Sequence, residues 1–241
     1  MLPRVLLQAR SLKSPWKARR GCLGTLTVTD ELLTECVSSA MPRWVKTEMR
    51  TNHAGEFGAV RIYEGSLKGL RLHHALLSRE PVCSKAVEFL EEHMENEQKH
   101  LTLMEELTAP ELMGPGARTR LIPIWRLAGL LTGFLPALVS GRRGIYHTIS
   151  AVETFVEEHY LDQIVRMKNE KVTPHLRARL ESCCEDEVEH REEAEQALLG
   201  LDAKDGGHGP AESRKPSWGV RVWSAIVDFG SRRAVELSRV V

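Results

Sequence analysis

The sequence lacks an excess of either charge. It carries 33 basic and 33 acidic side chains in 241 residues, so the formal net charge is zero. Proteins dedicated to nucleic-acid binding normally show a basic excess or a basic face, because lysine and arginine neutralise the phosphates. The balance therefore argues against a nucleic-acid partner. A chain of this length can bury one sizeable hydrophobic core, so we expect one main domain.

Two further patterns are missing. The five cysteines form no C-x-x-C pair and their number is odd, which argues against a disulfide framework. We therefore expect reduced thiols, as in a matrix or cytosolic compartment. The chain also has no G-x-G-x-x-G segment, so a dinucleotide-binding domain is not expected.

Acidic side chains are absent from the first 29 residues. This stretch combines leucines and serines with six basic residues, namely Arg4, Arg10, Lys13, Lys17, Arg19 and Arg20. Such a composition is typical of a mitochondrial transit peptide. The alternative is a disordered basic tail. We expect residues 1–29 to be a targeting segment and residues 41–241 to form the functional domain.

No segment shows the alternation of apolar and polar residues that marks a half-buried strand, so the sequence predicts an all-α protein. Four helical runs are expected to form a bundle: Pro42 to about Leu72, Val87 to Met104, Ile149 to Met167, and Leu176 to Ala197. A Gly- and Pro-containing stretch, 200–217, predicts a mobile linker. Apolar spacing beyond it predicts a C-terminal amphipathic helix over 218–241.

The four bundle helices carry a repeated set of acidic residues. Two helices contain a Glu-x-x-His motif, and the other two each place a Glu two turns before a Tyr, as in Glu56 and Tyr63. Glu97 and Glu187 fall on apolar stripes, where an unpaired carboxylate is costly. Two Glu helices and two Glu-x-x-His helices are the ligand plan of carboxylate-bridged di-iron bundles. The alternative is a set of solvated glutamates with two incidental histidines.

The sequence therefore predicts six metal ligands and no catalytic side chain beyond them: Glu56, Glu97, His100, Glu153, Glu187 and His190. Four carboxylates would neutralise two Fe(II) ions, and the imidazoles favour iron over magnesium or calcium, although manganese is compatible with the same ligands. Asn96 and Asp186 precede two of the glutamates, and we hypothesise that they orient the histidines. Tyr63 and Tyr160 are candidates for ordering or electron transfer near the metal, or for packing alone.

Five segments carry a family resemblance: NHAGEFGAVRIYEG, ENEQKH, LIPIWRLAGLLTG, AVETFVEEHY and EDEVEH. They resemble the demethoxyubiquinone hydroxylase family of coenzyme Q biosynthesis, over roughly 41–199 and the last helix. The resemblance implies a ferritin-like fold and a di-iron monooxygenase that uses O₂ to hydroxylate the ring of a demethoxyubiquinol. Carried over by position, the ligands are the same six residues. Phe57 and Arg191 depart from the family, which commonly has Tyr at the first position and, in animal members, His at the second.

The resemblance implies further partners and a location. The substrate is a polyprenylated quinol, the quinone itself relays electrons from NADH, and a lipid-binding accessory protein of the coenzyme Q complex delivers substrate. The protein is expected at the matrix side of the mitochondrial inner membrane, as a peripheral protein. Two rival functions use a similar fold or similar ligands: a ferritin-like iron store, and a di-iron quinol oxidase that reduces oxygen fully.

A long apolar segment, Leu121 to Val139, has one charge in nineteen residues and is long enough to span a bilayer. A spanning segment would place Glu97 and Glu153 on opposite sides of the membrane and destroy the predicted metal site. We therefore expect a crossover helix that lies in the membrane interface, flanked by Arg118, Arg120, Arg142 and Arg143. With the C-terminal helix it would form the substrate entry. The alternative is a buried core helix.

Overall fold

The computed structural model describes residues 28–37, 41–78, 81–204 and 217–241, and these residues form seven α-helices and no strand. The helices are α1 (Asp30–Val37), α2 (Arg43–Leu76), α3 (Ser84–Leu107), α4 (Pro110–Met113), α5 (Ile122–Glu170), α6 (Pro174–Lys204) and α7 (Trp218–Val240). The bundle consists of α2, α3, the second part of α5, and α6. The all-α bundle prediction is confirmed.

Two predicted segments fall partly or wholly outside the described residues. The expected leader lies there except for residues 28 and 29, and so do residues 205–216 of the expected linker. The first five residues of that linker, 200–204, belong to α6. The targeting segment and the linker therefore stay predictions.

Helix α5 comprises two helical parts, the crossover and the third bundle helix, which meet at a kink at Gly141. At Gly141 the backbone has φ 55° and ψ −134°, a conformation that glycine adopts and L side chains rarely do. The two halves pack closely at the bend, since a Cβ on Gly144 would lie 2.1 Å from the carbonyl oxygen of Pro136. The sequence predicted a crossover helix over 121–139 and a separate third bundle helix from Ile149, and the kink at Gly141 lies between them.

Glycines bring the first half of α5 directly onto the backbone of α2. A Cβ on Gly133 would lie 1.9 Å from the Ile62 carbonyl oxygen, and one on Gly65 would lie 2.1 Å from the Leu130 carbonyl oxygen. Any side chain at these positions would force the two helices apart. The crossover therefore lies along α2, the helix that carries Glu56. By length and composition, α5 is the one helix in the described ranges that could cross a membrane.

The hydrophobic core consists of two clusters. One, next to α1, includes Met49, Leu103 and Leu180. The other includes Leu90 and Ile149, from α3 and α5. Tyr160 belongs to the first cluster, and Tyr63 and Tyr146 belong to the second.

The short helix α1 was not predicted, and it has a defined role at the start of α6. The carboxylate of Glu35 accepts hydrogen bonds from the backbone amides of His175 and Leu176, each at 3.0 Å. The first amides of a helix have no partner within it, so a carboxylate here satisfies them and complements the helix dipole. The cap comes from 140 residues away, and no local sequence signal reveals it.

Helix α7 is attached to α2 and α5 at both of its ends. Trp223 donates to Thr148 at 2.9 Å, and Ser238 accepts from Trp125 at 3.1 Å. Near the C-terminus, the guanidinium of Arg239 forms two hydrogen bonds with the carboxylate of Glu48, at 3.0 and 3.1 Å. These contacts define how the last helix docks.

Candidate metal centre

The structure brings all six predicted ligands together in the bundle interior. Two groups of potential ligand atoms form, each with all atoms within 4.8 Å of one another: Glu56, Glu97, His100 and Glu187, and Glu97, Glu153, Glu187 and His190. All six side chains are buried. Because the groups share Glu97 and Glu187, they define two adjacent positions with two carboxylates in common. This arrangement fits a di-iron site.

The potential ligand atoms lack the hydrogen bonds that buried polar atoms normally make. Within the described part of the chain, the atoms without such a partner include Glu97 Oε1, Glu153 Oε2, both carboxylate oxygens of Glu187, and Nδ1 of His100 and of His190. Leaving buried polar atoms unsatisfied is costly, so each demands an explanation. Cations between them supply one, because the atoms are oxygens and imidazole nitrogens aimed at a shared space. The residues present therefore fit a metal pair.

Burial and neighbouring charges shift the pKa values of the residues in the cluster. Burial raises the pKa of Glu56 and of Glu153 well above the usual range, and the charge of Glu187 adds to both shifts. Burial lowers the pKa of His190, but the nearby carboxylates of Glu187 and Glu97 outweigh burial and raise that pKa overall. Protons therefore stabilise the cluster in the absence of a cation, and metal binding must displace them.

Asp186 and Asn96 both contact a histidine, as hypothesised, and they do so across the α3–α6 interface. Asp186 Oδ2 lies 2.9 Å from Nε2 of His100, and Asn96 Nδ2 lies 3.2 Å from Nε2 of His190. A proton on Nε2 of His100, donated to Asp186, leaves the lone pair of Nδ1 free. That Nδ1 lies 3.0 Å from Glu187 Oε1. Asp186 thus favours the tautomer that can bind a metal through Nδ1.

The two tyrosines contact the glutamates of the opposite half of the chain. Tyr63 donates to Glu153 Oε1 at 3.0 Å, and Tyr160 donates to Glu56 Oε1. The sequence placed Tyr63 two turns beyond Glu56 on the same helix, which is about 10 Å along the axis and beyond hydrogen-bond reach. Packing of α2 against α5 supplies each partner instead.

Two polar pairs near the site were missed by sequence reasoning. Asn52 and Gln163 exchange two side-chain hydrogen bonds of 2.9 Å between α2 and α5, and both are buried. Glu48 accepts from Arg239, as described, and from Thr51 at 3.2 Å. The position of Asn52, one turn before Glu56, indicates that it lies near the site. The sequence does not indicate that its partner is Gln163, because the two residues lie on different helices.

A cavity of about 350 Å³ reaches the cluster of potential metal ligands. Its walls come from α2, α5 and α7, and they are mainly apolar, with Trp125, Val152 and Trp223 among them. All four predicted glutamate ligands and Tyr160 line it as well. Gly55 and Gly58 also line it, and a Cβ at either would meet no atom within 4 Å. These two glycines therefore keep the space beside Glu56 open.

His53, one turn before Glu56 on the chain, is buried but belongs to neither ligand group. Burial and the charge of Arg118 lower its pKa from 6.5 to about 4. In the unfolded chain His53 takes up a proton below pH 6.5, whereas in the folded protein it stays neutral until about pH 4. We therefore expect its contribution to stability to be lost as the pH falls through this window.

Urea unfolding of metal-free protein between pH 7 and pH 4 measures this loss. A His53→Gln variant should lose less free energy of unfolding over that interval than the unmodified protein. Protonation of the remaining titratable side chains affects both proteins alike and cancels in the comparison. Equal losses in the two proteins would show that His53 is not the group responsible.

Comparison with known proteins supports the same chemistry. The model of the family described as "Ubiquinone biosynthesis protein COQ7" matches residues 43–238. The chain is 30% identical to the "NADPH-dependent 3-demethoxyubiquinone 3-hydroxylase, mitochondrial" of Dictyostelium discoideum, over 68% of this chain and 69% of that protein. It is 29% identical to the human protein of that name, over 79% of this chain and 75% of that protein.

A bacterial relative is similar too. The "3-demethoxyubiquinol 3-hydroxylase" of Rhodospirillum rubrum is 33% identical over 60% of each chain. The family match covers α2 to α7 almost entirely and therefore includes every residue of the two ligand groups. This chain belongs to the COQ7 family of ubiquinone biosynthesis proteins.

Proposed function

We propose that this protein is a 3-demethoxyubiquinol 3-hydroxylase with a di-iron centre. One observation carries the proposal: two buried ligand groups share Glu97 and Glu187 beside an apolar cavity that their carboxylates line. The activity is the one printed in the names of the relatives. Glu56, Glu97, Glu153 and Glu187, with His100 and His190, are the proposed ligands.

Iron is the metal we assign to both positions. Four carboxylates balance the charge of two Fe(II) ions, and two imidazoles favour iron over magnesium or calcium. When bound, the iron pair supplies the activation of O₂ and the oxidising power for ring hydroxylation. The overall reaction places one oxygen atom in a ring C–H bond and converts the other to water, with two electrons and two protons from a reductant.

The protein's own side chains orient the ligands and exclude water. Tyr63 donates a hydrogen bond to one carboxylate oxygen of Glu153, and Tyr160 donates one to Glu56. In each glutamate, the other carboxylate oxygen is left for the metal. Asp186 holds His100 in the tautomer with Nδ1 free. Because the cluster is buried, bulk water does not compete for these atoms, and the electrostatic interactions inside it are stronger than at the surface.

The cavity is suited to an aromatic ring with an apolar tail. Its size lies at the lower end of the range for small-molecule sites, about 300–1,000 Å³. Ring oxygens can bond Thr51 and His159, two of the polar residues on the cavity wall, whose side chains lie 3.1 Å apart. The prenyl tail would leave between α5 and α7, which form the other walls.

The reductant is the least defined partner. The resemblance implied NADH, whereas the mitochondrial relatives are named for NADPH. We therefore propose a reduced nicotinamide cofactor, with NADPH tested first. Relay of its electrons through the quinone stays a prediction.

A membrane surface is the proposed location, at the matrix side of the mitochondrial inner membrane. Helices α5 and α7 expose two apolar stripes: Ile124, Leu127, Leu131, Leu135 and Val139, and Trp218, Val222, Ile226, Phe229 and Val240. Such surfaces insert into the boundary between headgroups and acyl chains. The stripes lie on two of the helices that form the cavity walls, so a quinol dissolved in lipid would enter without crossing water.

The expected arginine anchors need revision within this proposal. Arg118 donates to Thr108 and to a backbone carbonyl, Arg142 to Cys83, and Arg143 to Asp202. Since these three bind within the protein, we assign headgroup contact to Arg120 and Arg126, which are exposed. The targeting segment and the lipid-binding accessory partner stay predictions.

The test uses purified protein loaded with Fe(II), a short-chain demethoxyubiquinol, ¹⁸O₂, and NADPH or NADH. We expect one ¹⁸O atom in the ring product and about two irons per chain. Oxygen consumption with ¹⁸O in water alone would instead indicate a quinol oxidase. Iron loading far above two per chain, without ring product, would indicate an iron store.

A further inference from the structure

One further buried histidine, His93, lies beside the proposed metal centre and takes no part in the function described so far. His93 lies on α3, one turn before Glu97, and only 4% of its surface is exposed. Its Nε2 lies 3.0 Å from Oε2 of Glu193, on α6. Glu193 is partly exposed, so it lies at the edge of the α3–α6 interface, whereas His93 lies inside it.

The ring of His93 lies against the ring of the proposed ligand His190. Their centroids are 4.3 Å apart and the rings are inclined by 21°, which is a stacked arrangement. Phe89 also contacts His93, at 4.1 Å between centroids. Tyr63 presents its edge to both imidazoles, at 6.1 Å from His93 and 6.4 Å from His190. Aromatic rings thus restrict rotation of the His190 imidazole.

The orientation of that imidazole decides where its ligand atom points. Nδ1 of His190 lies 3.0 Å from Glu97 Oε1 and 3.4 Å from Glu187 Oε2. A metal site requires its ligands to be held within about 10–20° of the productive direction. Rotation of the ring would turn Nδ1 away from both carboxylates.

The two proposed histidine ligands are held in different ways. Nε2 of His100 faces the carboxylate of Asp186 at 2.9 Å, whereas Nε2 of His190 faces the neutral amide of Asn96 at 3.2 Å. Hydrogen bonds with an ionised partner are roughly twice as strong as neutral ones. His190 therefore has the weaker hydrogen-bond support, and it is the histidine on which another ring stacks.

We infer that His93 and Glu193 form a positioning pair for His190: the stacked ring fixes the ligand imidazole, and the carboxylate fixes the stacked ring. The pair acts on the metal position formed by Glu97, Glu153, Glu187 and His190, and not on the position beside His100. This inference rests on the proposed function, since it concerns the same metal pair. Neither residue lines the cavity proposed for the substrate, so both are positioning residues and not catalytic residues.

Anaerobic Fe(II) titration followed by calorimetry, with Mössbauer spectra of ⁵⁷Fe-loaded protein, tests the inference. The unmodified protein should bind two Fe(II) per chain. In His93→Leu we expect one position to keep its affinity and the other to lose about 10–100-fold, the usual cost of removing a group that orients a ligand. The Mössbauer signal of that one iron should change while the other stays the same.

Glu193 provides graded variants. Glu193→Ala should weaken the same single position, because His93 is then free to rotate, and Glu193→Gln should restore the affinity by accepting the His93 hydrogen bond. Glu192→Ala, at an exposed neighbour on α6, is the matched control and should behave like the unmodified protein. Melting of the metal-free proteins shows whether each variant is folded. If His93→Leu does not fold, the Glu193 variants decide.

Three results would overturn the inference. Two unchanged iron affinities in folded His93→Leu or Glu193→Ala would show that the pair does not position His190, while leaving the proposed function intact. Equal weakening at both positions would point to general loosening of the bundle. Failure of the unmodified protein to bind iron would reject the proposed di-iron function as well.

Discussion

Replacement of Glu187 by alanine is expected to remove iron from both metal positions at once. Glu187 belongs to both ligand groups, and both of its oxygens lack a hydrogen-bond partner among the described residues. We expect iron to fall from two per chain to less than one. Hydroxylation should fall by more than about 100-fold, because losing a group that merely orients a ligand already costs about 10–100-fold.

Iron analysis of the purified variant and product formation under single-turnover conditions measure this effect. Glu189→Ala is the matched control, since Glu189 is an exposed carboxylate two residues away on the same helix. It should retain two irons and full activity. Two tightly bound irons in Glu187→Ala would contradict the assignment of Glu187 as a shared ligand.

Replacement of Gly55 by leucine is expected to block the substrate without disturbing the metal. Gly55 lines the cavity, and a Cβ there meets no atom within 4 Å, so a longer side chain extends into open space beside Glu56. Overlap with the quinol ring should raise KM or lower turnover by about 10–200-fold, the effect of 1–3 kcal/mol in a shaped pocket. Iron content should remain at two per chain.

The matched control is Gly55→Ala. A methyl group fits the open space, and alanine in a helix interior is more stable than glycine by roughly 0.5–1 kcal/mol, so this variant should melt at a higher temperature with little loss of activity. Steady-state kinetics with a short-chain quinol and thermal melting of all three proteins give the comparison. Unchanged kinetics in Gly55→Leu would show that the ring does not occupy this part of the cavity.

The ligand cluster was predictable from sequence because its information is local. A Glu-x-x-His motif places both side chains on one face of one helix, whatever that helix packs against. The motif is repeated at Glu97 and Glu187, on otherwise apolar helix faces, and this position predicted that both glutamates are buried in the bundle. The structure brings these residues together with the two remaining glutamates.

Other features depend on how distant helices dock, and no local pattern carries that information. The cap of α6 by Glu35 and the Asn52–Gln163 pair each join residues more than 100 positions apart. Side chains of these types are ordinary on exposed helices, so only the packed structure distinguishes them.

The crossed hydrogen bonds of the tyrosines have an evolutionary consequence. Tyr63 supports a carboxylate of the second half of the chain, and Tyr160 supports one of the first half. The pair α2–α3 and the pair α5–α6 therefore each support a glutamate of the other pair, and one pair alone would need a second copy to gain the same support. If such folds arose by duplication of a self-pairing ancestor, the two descendants could not diverge independently at these four positions.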